Sequence, residues 1–284
     1  MLRIMQQSPL FSILIAQYNN GKYFRDCYDS IIAQTYDNWE VVIVDDGSTD
    51  DSVAVMKNMI AADPRFKLEV NDKNKGCGFT KRRLAELAAG EICGFLDPDD
   101  AITVDALKLM VTEHQKYPEA SMIYSKPFWC DENLRIQFER DTIQVENYVS
   151  DFFDFDGYLF AFLSYKSHFY CRTEGISSYL LRAVDRDLVL KLYEAGPAML
   201  LNQPLYYYRA HSNSISLNLN ADKAYFWYWV VIIDAARRRN VNIEDLYLHF
   251  SLSSQKQKAL QIELNGYNKS IVFKVFRKLG LFKI

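Results

Sequence analysis

The 284-residue chain has no cysteine pair at the spacing that zinc or redox chemistry needs. Its five cysteines, Cys27, Cys77, Cys93, Cys130 and Cys171, are odd in number and far apart. A C-x-x-C site is therefore excluded, and reduced thiols in a cytoplasmic protein are the expectation. No charge of one sign dominates either: 33 basic residues against 36 acidic ones leave a formal charge of -3. That balance gives no electrostatic case for nucleic acid as a partner. The longest later apolar run, Ala224 to Ile233, is ten residues, well short of the roughly 20 that cross a bilayer. Met1 to Pro9 holds one Arg and no apolar core of the length a secretory signal needs, so export is not expected. Internal repeats and low-complexity tracts are absent as well.

What is present is an alternation of two hydrophobic periods. Phe11 to Ala16 is an apolar, branched run that reads as a strand, followed by helical spacing from Tyr23 to Gln34 and a second strand at Glu40 to Val44. A helix from Asp50 or Asp51 to Asp63-Pro64, a strand at Phe66 to Val70, a helix from Lys81 to Ala89 closed by Gly90, and a strand at Ile92 to Leu96 come after these. Strands of nearly continuous apolar character alternating with helices predict a mostly parallel sheet covered on both faces, an α/β doubly wound, Rossmann-like domain. Ligands of such sheets bind beyond the carboxyl ends of the strands. The second half is less periodic: Ile123-Tyr124 reads as a strand, Gln144 to Gly157 as an acidic, aromatic loop, and Tyr179 to Ala195 as a helix. Short strands at Ala198 to Leu201 and Leu205 to Tyr208 come next, and Asp222 opens a helical end. Aromatic residues make up 14% of the chain and crowd into this half, which suits a binding cleft or ordinary core packing.

Two strand ends are acidic. Val41 to Val44 runs into Asp45-Asp46-Gly47-Ser48-Thr49-Asp50, and Phe95-Leu96 into Asp97-Pro98-Asp99-Asp100. Three carboxylates leaving a buried strand repel one another unless a cation or a wet cleft compensates them, so a divalent-metal site is one reading. The other is an acidic turn that caps a helix starting near Ile102, with Asp99 or Asp100 as N-cap. For Asp45 and Asp46 the alternative is turn formation with Gly47 and Ser48.

Together these two motifs resemble the family 2 glycosyltransferases, which have the GT-A fold. The resemblance covers about residues 9 to 215 and includes Ala33-Gln34-Thr35-Tyr36, Asn74-x-Gly76, Ala88-x-Gly90-Glu91 and Tyr208-Arg209-x-His211-x-x-Ser214-x-Ser216. It implies an inverting transfer of a sugar from a nucleotide-diphosphate donor, with a UDP-sugar expected, to a hydroxyl of a glycan or lipid-linked acceptor in surface-polysaccharide synthesis. It further implies that Ala16 and Tyr18 line the base and that Asp45 or Asp46 accepts from a base N–H. Asp97 touches ribose or metal, and Asp99 binds Mg²⁺ or Mn²⁺ with His211 as a further ligand. Lys75, Lys81 and Arg209 supply charge toward the diphosphate. Asp185 stands where such enzymes carry the catalytic base, as the second acid of a Glu-Asp pair, but Val184 replaces the Glu. Lys81 and Arg82 stand where Arg and Asn are usual, and Gly76 and Gly78 serve the loop. His211 and Arg209 also admit purely structural readings, and Asp185 an ordinary pairing with Arg182 or Arg186.

The expected organisation is a GT-A domain over 1–218, with a nucleotide-sugar half at 1–100 and an acceptor half at 101–218, followed by a helical extension over 219–284. Within the extension, Val272 to Ile284 interleaves Phe273, Phe276 and Leu279 with Lys274, Arg277 and Lys278 as a basic amphipathic helix. Contact with the inner face of the cell membrane, packing on the domain and a homodimer contact are all uses of such a helix. Two other functions stay open. A non-catalytic nucleotide-sugar-binding module is compatible with Val184 and Lys81. A sugar-nucleotide nucleotidyltransferase would carry a glycine-rich basic loop where Ala16-Gln17-Tyr18-Asn19-Asn20-Gly21 stands.

Overall fold

A computed structural model describes residues 8–146, 160–211 and 221–248. Strand β1 (Phe11–Gln17) is followed by a single 3-10 turn (Gly21–Tyr23) and helix α1 (Phe24–Ile32), then β2 (Trp39–Asp45), α2 (Ser52–Ile60), β3 (Phe66–Val70), α3 (Cys77–Leu87) and β4 (Ile92–Phe95). The second half contains β5 (Ala101–Ile102), α4 (Ala106–Lys116), β6 (Met122–Cys130), β7 (Ile136–Glu139), β8 (Ala161–Lys166), α5 (Ser167–Tyr170), α6 (Val184–Ala195), β9 (Ala198–Arg209) and α7 (Ala221–Arg238). All of these strands join one sheet of order β3-β2-β1-β4-β8-β6-β9-β5, with β7 added to β6. The first four strands are parallel to one another. From β8 onward the sheet is mixed: β8 runs antiparallel to β4 and to β6, while β6 and β9 are parallel. The sheet is thus an α/β doubly wound one whose parallel half carries the expected βαβ units.

The chain leaves β1 for β2 on one side and reaches β4 on the other, so a crevice opens beyond the carboxyl end of β1. The core explains why these segments form these elements. Phe11, Ile13 and Ile15, alternate residues of β1, join Phe24 and Ile31 of α1, Met56 and Ile60 of α2 and Leu107 and Met110 of α4 in one buried cluster. The α3 helix packs on β1 and β2 and buries Leu84.

Five expectations need correction. The helix predicted near Ile102 begins instead at Ala106, and Ala101–Ile102 pairs with Tyr206 and Tyr207 of β9. Asp100 caps no helix; its carboxylate accepts from the Arg209 backbone N–H at 2.7 Å. The helix predicted from Lys81 starts four residues earlier, because Gly76 at φ 95° turns the chain and the Asp46 carboxylate accepts from the N–H groups of Lys75 and Gly76. The helix predicted from Tyr179 starts at Val184, after Ala183 in a left-handed conformation (φ 56°). The two short strands expected between Ala198 and Tyr208 are one twelve-residue strand, with register shifts opposite Lys126 and Pro127 where Pro204 interrupts the ladder.

Backbone contacts divide the chain into two units, Met1–Ala235 and Ala236–Ile284. Within the first, α7 buries Val231, Ile232 and Ala235. No helix among the described residues is long and apolar enough to cross a membrane. The basic amphipathic segment 272–284, Ser214, Ser216 and most of the 144–157 loop lie outside the described residues.

Candidate active site

The crevice is built from the ends of β1, β2 and β4, the start of α3, the start of α6 and the end of β9. At the β2 end, Asp45 is fully buried, and its two oxygens accept from the Ser48 N–H at 2.8 Å and the Ser48 hydroxyl at 2.5 Å. Asp46, 4% exposed, accepts from Asn71 Nδ2, Lys75 N and Gly76 N, each at 2.9 Å. Between them and the next loop Gly47 takes φ 73°, and a Cβ there would lie 2.6 Å from the Lys73 backbone. This strand end therefore folds its own loop, drawing residues 71–76 under the crevice. Tyr18, just past β1, is exposed, and Asn19 next to it is fixed to Ser48 and Thr49 of the turn after β2. Lys75 pairs with Asp72 at 2.8 Å on the loop surface.

The β4 end behaves differently. The Asp97 side chain is 49% exposed and lies 3.9 Å from Lys81 Nζ. Its own N–H is held by the Tyr206 hydroxyl at 3.2 Å. Burial pushes the Asp97 carboxyl up to about 6; the Lys81 ammonium opposes the rise, and Asp99 and Asp185 add to it. Solvent reaches this carboxylate, yet protein surrounds it, as at the bottom of a cleft. Asp99 Oδ2 lies 2.8 Å from His211 Nε2. Asp100, behind the turn, is driven well above the usual carboxylate range by burial and then by Asp99 and Asp97.

Arg209 sits under this turn rather than on its face. It is 3% exposed; Nε donates to the Asp99 carbonyl at 2.5 Å, Nη1 to the Glu132 carbonyl at 2.6 Å and Nη2 to Asp26 at 2.7 Å. Its guanidinium lies 4.6 Å from the centre of the Tyr23 ring, which in turn lies 5.1 Å from His211. All three nitrogens are thus directed into the protein. What Arg209 does here is pin the end of β9, and with it His211, against the acidic turn.

Asp185 lies in the first turn of α6 with its side chain 76% exposed, and its Oδ1 accepts from Lys81 Nζ at 2.5 Å. Two residues further on, Asp187 and Lys191 form a fully enclosed ion pair at 2.9 Å. Asp187 also accepts from the Ser177 N–H, and Lys191 donates to the Gly175 carbonyl and the Ser177 hydroxyl. That pair ties the 175–183 loop to α6, and Gly78 of α3 closes the loop's other side by donating to the Leu180 carbonyl at 2.8 Å. A side chain at Gly78 would collide with the Ser177 and Leu180 carbonyls. Sequence reasoning does not reach Asp187, Lys191, Tyr206 or Glu132. The i, i+4 spacing of Asp187 and Lys191 on one helix is the only local signal for any of them.

These groups share one environment. The Cys77 thiol, pushed up to about 11 by burial, is lowered by Lys81 and raised by Asp185, Asp97 and Asp46 together. Asp99 reaches the same set through its effect on Asp97. The contacts of Lys81 with Asp97 and Asp185, and of Asp99 with His211, bring these distant segments together.

Among the described residues no group of three or more His, Cys, Asp or Glu side chains could hold a metal ion by itself. The Asp99–His211 contact, with Asp97 two residues away, is nonetheless a hard oxygen-and-imidazole donor set. It suits Mg²⁺ or Mn²⁺ that arrives with waters and diphosphate oxygens completing its shell.

Comparison with known proteins points one way. The family model described as Glycosyl transferase family 2 matches residues 12–176. Chondroitin synthase of Escherichia coli is 30% identical over 220 residues, which are 74% of this chain and 30% of that protein. Chondroitin synthase of Pasteurella multocida is 28% identical over 211 residues, 72% of this chain and 21% of that one. The chain thus spans less than a third of the length of either synthase. Among solved structures, S. aureus TarS 1-349 in complex with UDP-GlcNAc superposes with a TM-score of 0.63 at 19% identity, covering 78% of this chain and 65% of that one. Mannosyltransferase PcManGT from Pyrobaculum calidifontis, in complex with GDP-Man and Mn²⁺, gives 0.64 at 14% identity, covering 98% and 82%. At such identities the structural likeness speaks for the fold, which is GT-A.

Proposed function

We propose that this chain, which belongs to glycosyl transferase family 2, transfers a sugar from a nucleotide-diphosphate donor, a UDP-sugar, to an acceptor hydroxyl with inversion at the anomeric carbon. The acceptor is a glycan or lipid-linked glycan of surface-polysaccharide synthesis, in keeping with the chondroitin synthases among its relatives. One observation carries the reading: at the crevice where doubly wound sheets take ligands, Asp97 and Asp185 flank one lysine while Asp99 meets His211.

In this reading the base lies against Tyr18 over the 71–76 loop, with Ala16 at the floor. Asp45 and Asp46, one of which the resemblance implies for a base N–H, instead shape that loop, Asp46 accepting from Asn71, Lys75 and Gly76. Lys75 offers positive charge toward the diphosphate, whereas Lys81, for which the resemblance implies the same, is taken up by Asp97 and Asp185. Asp99 and His211, with Asp97 beside them, would hold Mg²⁺ or Mn²⁺. When bound, the ion supplies Lewis-acid stabilisation of the departing diphosphate. Asp185 takes the proton of the acceptor hydroxyl as that oxygen bonds to the anomeric carbon and the bond from this carbon to the diphosphate oxygen breaks. A hydroxyl is too weak an acid to lose its proton near neutral pH without such a positioned base. The GT-A part is assigned to 1–218 and a helical extension to 219–284, whose basic end segment offers a peripheral membrane contact.

Calorimetric titration with UDP, GDP and their sugars in Mn²⁺, followed by turnover of the donor that binds, tests the proposal. Binding of UDP in preference to GDP, with release of UDP from a UDP-sugar, supports it. Failure to bind any nucleotide in Mn²⁺ refutes it. Because Val184 stands in place of the family's acid, a binding module without turnover is the second reading. Tight donor binding with no turnover on any acceptor would favour that module.

A further inference from the structure

The crevice has one feature that the donor, metal and base roles leave unused: the cation between its two exposed acids is not itself exposed. The Lys81 side chain is 7% exposed, set in the wall by α3 with its ammonium 5.2 Å from the centre of the Phe95 ring. The carboxylates it faces, Asp97 and Asp185, are 49% and 76% exposed. Lys81 is thus the fixed member and the acids are the adjustable ones. Asp185 in particular stands on the first turn of a helix, where an unrestrained, solvent-facing aspartate samples several rotamers.

We infer that Lys81 is a positioning residue for Asp185: the bond from Nζ to Oδ1 selects the one rotamer that turns the carboxylate inward, toward the Asp97 side of the crevice. The inference rests on the assignment of Asp185 as the base. Three physical points support it. A charge-assisted hydrogen bond at 2.5 Å is among the strongest restraints a side chain can receive. The ammonium also screens Asp185 from Asp97, whose like charge would otherwise turn Asp185 outward. Burial disfavours the charge on Lys81, but the two carboxylates more than offset this and hold the ammonium above its ordinary pKa, so the restraint is permanent at neutral pH. A base is useful only when held within reach of the proton it removes, and small misplacements cost large factors in rate.

A positioning role and a diphosphate-binding role for Lys81 predict different kinetics. In the full-length chain, Lys81→Met keeps the apolar stem and removes the charge, and Lys81→Gln is a second variant should the first not fold. For a UDP-sugar turned over by the wild type, either variant is expected to lower kcat about 100-fold while leaving KM and the calorimetric affinity for UDP in Mn²⁺ within about threefold. Lys81→Arg is expected to recover kcat to within about tenfold of wild type, and Lys81→Met added to Asp185→Asn should cause no further loss. A raised KM with weakened UDP binding and unchanged kcat would overturn the inference, as would additive losses in the double variant. These outcomes are distinct from failure of the functional reading itself, which would show as a wild type that does not bind UDP or an Asp185→Asn variant with wild-type turnover.

Discussion

The two acidic strand ends are nearly the same phrase in sequence, and the fold uses them in opposite ways. At the end of β2 both carboxylates are buried and bonded to nearby loop residues: Ser48 for Asp45, and Asn71, Lys75 and Gly76 for Asp46. At the end of β4 the Asp97 carboxylate stands half exposed in the crevice, and Asp99 meets a histidine brought from the far end of β9. The first pair builds a wall; the second remains available to a ligand. The difference lies in the residues just beyond each strand. Gly47 permits a tight turn that brings the Ser48 N–H and hydroxyl back onto Asp45, whereas Pro98 has no N–H to give, and the chain after Asp100 is drawn away into pairing with β9.

The sharpest way to break this contrast is to remove one acid from each end. Asp99→Ala should weaken UDP binding in Mn²⁺ on the order of 100-fold, with an unfolding temperature close to wild type, as read by calorimetry and circular dichroism. Asp46→Ala should do the reverse in kind. It strands the N–H groups of Lys75 and Gly76 and should cost about 3 kcal/mol of stability in urea titrations. Equal destabilisation by the two substitutions would mean that both strand ends are structural.

Comparable in size is Asp185→Asn, expected to lower turnover by about 100-fold while leaving UDP affinity intact. Retention of near-wild-type turnover would remove Asp185 from the role of base. A smaller effect comes from the raised Asp97 carboxyl. Since a divalent ion favours the ionised form, protons compete below about 6, and UDP affinity in Mn²⁺ should fall about tenfold between about pH 7 and 5. Asp97→Asn should flatten the profile across that window; an unchanged slope would assign the titration elsewhere. Smallest is Gly76→Ala. With φ at 95° and Leu181 Cδ2 2.8 Å from the would-be Cβ, it should cost about 1 kcal/mol.

Sequence periodicity suffices for the parallel half because its information is local: each strand is a short apolar run, each helix returns beside it, and βαβ handedness does the rest. Asp97 and Asp99 can be singled out because three carboxylates leave one buried strand together, whereas Asp185 is reached only through the resemblance to the family. Longer-range partners are not legible. Nothing near Asp100 announces that Arg209, more than a hundred residues on, will claim its carboxylate, and nothing near Ala101 reveals the β9 ladder, so the segment reads as a helix start. Likewise the helix before Val184 is overextended in a sequence reading because Asp187 reaches back to the Ser177 N–H and holds the intervening chain as a loop, with a turn from Ser177 to Leu180. Lys81 reads as a charge toward phosphate. Its burial between two exposed acids depends on where α3 meets α6, which no local pattern encodes.

On the proposed reading the β4 acids face a ligand while the β2 acids face the protein. Titrating UDP into wild-type protein and Asp99→Ala, each with and without Mn²⁺, tests that division most directly. Mn²⁺-dependent binding by the wild type, and its loss in a variant that unfolds at the same temperature, is the predicted result. Undiminished Mn²⁺-dependent binding by Asp99→Ala would contradict it.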